Sequence, residues 1–155
     1  MMHVDPAARQ AWPRAAKASR RPCPPVLSGV RVLVVDDDAD VRDFLWMVLA
    51  ECGAVVRVVS SVREAMAEFD RLAPEVVVSD IGMPEHDGFA LIGAIRRRTP
   101  ERGGDVPVVA LTGFTRAEDR RRVLGSGFQL HVAKPVDADE ILAIVASLAR
   151  VVPPR

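Results

Sequence analysis

Residues 30–53 read VRVLVVDDDADVRDFLWMVLAECG. An apolar run broken only by Arg31 leads into three consecutive aspartates, Asp36, Asp37 and Asp38. Val41, Phe44, Leu45, Val48, Leu49 and Cys52 then fall at helical spacing and make one unbroken apolar face. Gly53 follows, where a helix commonly ends in a left-handed residue. The stretch therefore predicts a buried strand, an acidic turn and an amphipathic helix. A strand that is apolar at nearly every position is buried on both faces, which points to a parallel sheet covered by helices on each side.

The same alternation repeats to about Arg150. Val55 to Val59 form a β-branched run, and Val62, Ala65, Met66 and Phe69 mark a second helix that Pro74 closes. Val76-Val77-Val78 lead into Ser79-Asp80, and Phe89, Ile92 and Ile95 mark a third helix. Val106 to Leu111, a polar helix over about Arg116–Leu124, a short strand at Leu130 to Val132 and a helix carrying Ile141, Leu142, Val145 and Leu148 complete the series. Five strand–helix units in succession give an α/β fold with a parallel sheet.

In such sheets chemistry gathers beyond the carboxyl ends of the strands. Those ends carry Asp36, Asp37 and Asp38 after the first strand, Asp80 after the third, Thr112 after the fourth and Lys134 after the fifth. One aspartate at a strand end would be an ordinary solvated loop residue. Four strand ends that together offer acids, a hydroxyl and an ammonium match the needs of cation-assisted phosphoryl chemistry. Crowded carboxylates favour a hard cation, and Mg²⁺ typically takes one or two of them together with phosphate oxygens. A carboxylate can attack phosphorus to give an acyl phosphate, with a hydroxyl and an ammonium placed where charge develops.

Bulk properties exclude several classes. The chain has 155 residues, 49% of them apolar, which suits one domain with a modest tail and is too apolar for general disorder. The formal net charge is zero, so no global field draws the chain to nucleic acid or a membrane surface. Residues 1–29 nevertheless hold five basic groups against one acid, which leaves 16 basic and 20 acidic groups in the remainder. Residues 1–28 are rich in Pro, Ala and Arg and read as a disordered tail or linker, residues 29–150 as the ordered domain and residues 151–155 as a short tail. No apolar run approaches the roughly 18 residues that span a bilayer. Arg20-Arg21 is followed by Pro22-Cys23-Pro24-Pro25 rather than an apolar stretch, so it is not a twin-arginine signal. Cys23 and Cys52 lie in no metal-type spacing and are expected to be reduced thiols in the cytoplasm.

The strings VRVLVVDDDADVR, VVVSDIGMPEHDGFAL, VPVVALTGFT and HVAKPVDADEIL together resemble the signature blocks of response-regulator receiver domains. The resemblance covers about residues 30–150. It implies a flavodoxin-like (βα)5 doubly wound parallel five-stranded sheet of order 2-1-3-4-5, a fold that the receiver itself commonly illustrates. It implies that Asp80 is the phosphoacceptor and that Asp36, Asp37, Asp80 and the backbone carbonyl of Gly82 hold Mg²⁺, with Asp37 the more direct ligand of the acidic pair. Thr112 becomes the switch hydroxyl, Lys134 the phosphoryl contact, and the bond before Pro135 a cis peptide. Asp38 and Asp40 match no ligand position and read as helix-capping charges. His131 stands where the family usually has an aromatic switch residue, in a chain without tyrosine. The resemblance also implies that Gly82 and Phe114 stand at the two positions flanking the approach of a hydrolytic water; neither offers it a polar side chain, so the phosphorylated form is expected to be long-lived.

The resemblance further implies a signalling receiver rather than an enzyme, phosphorylated by a histidine kinase or a histidine phosphotransfer protein. Its downstream protein target is expected on the face made by helix four, strand five and helix five. No nucleic-acid or membrane contact of its own is expected. Because the sequence stops at Arg155, just after the last helix, output is expected to pass through a protein partner, or the chain to be the terminal receiver of a hybrid kinase.

Three other readings fit less well. A haloacid-dehalogenase-like phosphatase would use Asp36 as nucleophile and Asp38 as acid, but its second acidic pair is not at a strand end, because Asp137 and Asp139 open the last helix. It also leaves Asp80 and the GMPEHDG segment without a role. A flavin-binding module would have its phosphate repelled by three aspartates. A degenerate receiver would not keep the acidic pair, the acceptor, the threonine and the lysine together.

Overall fold

The structure, a computed structural model, describes residues 26–83, 87–113 and 117–151. Strands β1 (Arg31–Val35), β2 (Val55–Val59), β3 (Val76–Asp80), β4 (Val108–Thr112) and β5 (Leu130–Ala133) alternate with helices α1 (Ala39–Glu51), α2 (Val62–Leu72), α3 (Gly88–Arg96), α4 (Ala117–Gly125) and α5 (Ala138–Val151). A short 3-10 turn, Pro100–Arg102, precedes β4. The strands form one sheet of order β2-β1-β3-β4-β5, and each pair is parallel. This is the order that the resemblance to receiver domains implies.

Strand alternation sorts the core into two halves. Leu33, Val35, Val77, Val108 and Ala110 point to one face, where they meet Ala65, Phe69 and Leu72 of α2, Leu91, Ile92 and Ile95 of α3 and Val123 of α4. Val32, Val34, Val76, Val78, Val109 and Leu111 point to the other, where α1 and α5 supply Phe44, Leu45, Leu49, Ile141 and Val145. The side-chain period of two along a strand makes this division automatic once both faces are covered.

Helix starts follow local chemistry. Asp38 caps α1 by accepting from the Asp40 amide at 2.9 Å, Ser61 caps α2 and Asp87 caps α3. Each side chain takes up an amide that the helix cannot satisfy internally. The fourth strand begins at Val108, two residues later than its apolar run, because Pro107 has no N–H to give to a ladder.

Three features were not visible as patterns. Leu27, read as tail, is fully buried in the half-core of α1 and α5, and its amide donates to the Cys52 carbonyl at 2.8 Å. Packing therefore begins before Val30. Cys52, expected as a free thiol, is disulfide-bonded, while Cys23 lies outside the described residues. Arg96, at the end of α3, bonds to the carbonyls of Gly104 (2.9 Å), Val106 (2.7 Å) and Gly127 (2.8 Å) and to Gln129 Oε1 (3.0 Å). That Gln129 oxygen also accepts from the Val108 amide at 2.7 Å. One guanidinium thus joins the segment before β4 to the segment before β5.

Arg96→Ala leaves several carbonyls that lose a charged donor together, at roughly 1–3 kcal/mol for each buried group left unpaired. We expect unfolding in urea to show a loss of about 2–4 kcal/mol. A loss well under 1 kcal/mol would mean that water replaces the guanidinium.

Candidate functional site

The register aligns the strand ends. Val35 lies opposite Ser79, Asp80 opposite Leu111, and Thr112 opposite Ala133, so residues at or just past these ends share one edge of the sheet. Asp36, Ser79, Asp80 and Thr112 are the buried polar residues among those described, and all four lie at this edge.

Lys134 Nζ stands 3.0 Å from Asp36 Oδ2 and 3.4 Å from Asp80 Oδ1. Asp36 is fully buried and Asp80 nearly so. The other Asp36 oxygen accepts from the Asp38 amide at 2.9 Å, and Asp80 Oδ1 also accepts from the Gly82 amide at 3.2 Å. Asp36 Oδ2 is buried without an aligned hydrogen bond, although it is within ion-pair distance of the ammonium. We read that contact as electrostatic and off-axis, which leaves lone-pair capacity on an oxygen that faces the cluster. Asp37 is exposed, and one oxygen from each of Asp36, Asp37 and Asp80 lies within 4.8 Å of the others.

Burial sets the electrostatics. It pushes the Asp36 carboxyl up from the ordinary 3.8 to about 6, with Asp80 adding to the rise and Lys134 and the Asp38 amide opposing it. Asp80 is raised as well, again chiefly by burial and against the pull of Lys134. For Lys134, burial acts downward, but Asp36 and Asp80 outweigh it and hold the ammonium above its usual range. The lysine therefore stays charged between two carboxylates whose own charge the fold disfavours.

Every expected site residue that is described is accounted for. Asp36, Asp37, Asp80 and Lys134 come together. Thr112 ends β4, buried, and its carbonyl accepts from the Lys134 amide at 2.9 Å. Gly82 sits on the loop after β3 with its amide on Asp80. The Lys134-Pro135 peptide is cis. His131 lies opposite Ala110 in mid-β5, about 10 Å along the strand from Lys134, so it is outside the cluster. Its Nδ1 is buried without a hydrogen-bond partner among the described residues. Phe114 lies outside the described residues. Asp38 acts as a helix cap.

Sequence reasoning missed three contributors. Ser79 Oγ donates to the Asp80 carbonyl at 2.9 Å, inside a run that reads as plain strand. Arg42 Nη1 donates to the Asp36 carbonyl at 2.8 Å from the solvent side of an amphipathic helix. At Gly88 a Cβ would lie 2.6 Å from the Asp80 carbonyl oxygen and 2.7 Å from Ile81 Cα, so only glycine lets α3 start this close to the acceptor strand. The Asp87-Gly88 pair was the available signal.

Residues 32–146 match the family described as the response regulator receiver domain. The chain belongs to that family. The receiver is 42% identical over 128 residues to a 14.6 kDa protein of Leptolyngbya boryana described only by its position in the sodA1 3′ region, covering 83% of this chain and 96% of that one. It is 34% identical over 121 residues to the virulence transcriptional regulatory protein PhoP of Salmonella typhimurium, covering 78% of this chain but 52% of PhoP, so it spans about half of that regulator. The solved signal receiver domain of a histidine kinase from Syntrophus aciditrophicus superposes with a TM-score of 0.74 at 27% identity, covering 82% of this chain and 95% of that one. This chain is thus a signalling receiver homologous to two-component response regulators, and the haloacid-dehalogenase-like alternative finds no support. No helix among the described residues is long and apolar enough to cross a membrane.

A group whose folded pKa lies above its unfolded one stabilises the fold below the unfolded value, and that contribution is lost as pH rises through the folded value. For Asp36 the window runs from about pH 4 to about 6, so the metal-free receiver carries the whole penalty at neutral pH. We expect Asp36→Asn in the presence of EDTA to raise stability at pH 7 by roughly 1–3 kcal/mol, with the advantage shrinking toward pH 4. Urea midpoints at the two pH values check this; a variant less stable than wild type at pH 7 would show that the Lys134 pair outweighs burial.

Proposed function

We propose that Asp80 accepts the phosphoryl group in a two-component phosphorelay, with Mg²⁺ held by Asp36, Asp37, Asp80 and the Gly82 carbonyl. The observation that carries this reading is the convergence of three carboxylates and one half-buried ammonium at the carboxyl edge of the sheet. The donor set fits a hard divalent cation, since it is all oxygen and Asp36 Oδ2 lacks an aligned partner. When bound, Mg²⁺ neutralises carboxylate charge and takes phosphoryl oxygens.

The chain's own residues do the rest. An Asp80 oxygen attacks phosphorus, the bond to the donor's imidazole nitrogen breaks, and the imidazole departs with that electron pair. Lys134, held charged by its neighbours, stands 3.4 Å from the acceptor and can follow the charge that moves onto the phosphoryl oxygens. Thr112, buried at the end of the neighbouring strand, would hydrogen-bond the new group. The Gly82 amide orients Asp80. The donor is a histidine kinase or a histidine phosphotransfer protein, and the setting is the cytoplasm, where the Cys52 disulfide is an exception to the usual reduced state.

Output uses the face of α4, β5 and α5. Arg121, Arg122, Leu124 and Leu130 are exposed there, and the Lys134 amide ties β5 to the Thr112 carbonyl. Capture of the phosphoryl group by Thr112 would shift this face between two populations. The working unit reaches upstream of Gly29 to at least Leu27, and the remaining N-terminal residues serve as a linker.

Incubation with acetyl phosphate and Mg²⁺ is expected to give a hydroxylamine-labile mass gain that EDTA and Asp80→Asn both abolish. Labelling that persists in Asp80→Asn would move the acceptor elsewhere. Asp37→Ala should weaken Mg²⁺ binding more than Asp38→Ala, because Asp38 is occupied in capping. Amide exchange over residues 117–133 should change on phosphorylation; an unchanged pattern would remove this face as the output surface.

A further inference from the structure

Arg42 has no part in the chemistry above, yet its side chain turns back toward the acidic turn. It lies in the first turns of α1, and its Nη1 donates to the backbone carbonyl of Asp36 at 2.8 Å. That carbonyl belongs to the peptide unit joining Asp36 to Asp37, so whatever holds it also sets the direction in which the Asp37 side chain leaves the backbone.

The rest of Asp36 is held just as firmly. Its amide donates to the Val59 carbonyl at 3.1 Å, and its Oδ1 accepts from the Asp38 amide at 2.9 Å. The Asp38 carbonyl in turn accepts from the Arg42 amide at 3.1 Å. Every polar atom of Asp36 has an aligned partner except Oδ2, the oxygen facing Lys134. Arg42 closes this arrangement, because it joins the end of β1 to α1 through a side chain rather than through the intervening backbone alone. A planar fork with fixed donors suits that task better than a flexible ammonium.

We infer that Arg42 is a positioning residue of the cation site: it fixes the peptide between Asp36 and Asp37 and thereby aims the acidic pair. The inference rests on the reading that these acids take Mg²⁺. Groups that orient metal ligands from behind typically change affinity by 10–100-fold when removed. Arg42 acts through a backbone carbonyl, so an effect of about tenfold, at the low end of that range, is expected.

The full-length chain tests this through two measurements on wild type, Arg42→Met and Arg42→Lys. Calorimetric Mg²⁺ titration gives the affinity, and amide exchange over residues 36–42 in EDTA reports the turn without metal. Arg42→Met should bind Mg²⁺ about tenfold more weakly and exchange faster over that stretch in the metal-free state. Arg42→Lys, with the charge but not the fork, should fall between the two; should Arg42→Met fail to fold, weaker binding together with faster exchange in Arg42→Lys carries the same decision. Affinity within about twofold of wild type in Arg42→Met would overturn the inference, since it is far below the effect of a supporting group. A tenfold loss with unchanged exchange would also overturn it, because the arginine would then act by its charge alone. If wild type itself binds no Mg²⁺, it is the cation reading that fails.

Discussion

Lys134 lies between two buried carboxylates, and the carboxyl edge of the sheet is organised around that contact. Removing three ionisable groups from water is expensive, and their mutual attraction rarely exceeds what desolvation takes away. Burial raises the Asp36 carboxyl in spite of Lys134, in keeping with that imbalance. Such a cluster contributes little to stability in the metal-free chain. It persists because the two half-cores on either side of the sheet are large enough to carry it. Strand register, the tight start of α3 at Gly88 and the capping of α1 by Asp38 all serve to hold this electrostatic arrangement in place.

The same arrangement explains why one lysine suffices. An ammonium flanked by two acids stays charged across the physiological range, so its state does not change when a phosphoryl group arrives. The carboxylates are the labile partners. Their charge is disfavoured by burial and supported by Lys134, which leaves them responsive to any further positive charge that enters the mouth. Asp37, exposed and close to both, gives the cluster its contact with solvent.

Much of this was legible in the residues, because two kinds of signal are local. Apolar runs with period two or 3.6 reveal strands and helices, and the strand ends then list the site: Asp36, Asp80, Thr112 and Lys134 are each adjacent to a recognisable run. Contacts made by single side chains across long sequence gaps leave no such trace. Arg96 looks like one of several arginines at the end of α3, and only the fold brings Gly104, Val106, Gly127 and Gln129 within its reach. Arg42 likewise occupies an ordinary outward helix position. Ser79 looks like strand, and its hydrogen bond to the next carbonyl is visible only in three dimensions. The placement of His131 away from the cluster follows from its depth in β5, which spacing in the sequence measures only once the strand's end is known.

Leu27 has a practical corollary. It is one apolar side chain in a Pro- and Arg-rich stretch, yet it plugs the half-core of α1 and α5, and the Leu27 and Gly29 amides are hydrogen-bonded to the Cys52 and Gly53 carbonyls. A recombinant version cut at Gly29, where the periodic pattern starts, would leave a leucine-sized void, which elsewhere costs about 2–5 kcal/mol. Any joint between this receiver and a neighbouring module, whether natural or engineered by swapping, therefore has to fall upstream of Val26. Modules exchanged at the boundary suggested by periodicity alone would arrive already weakened.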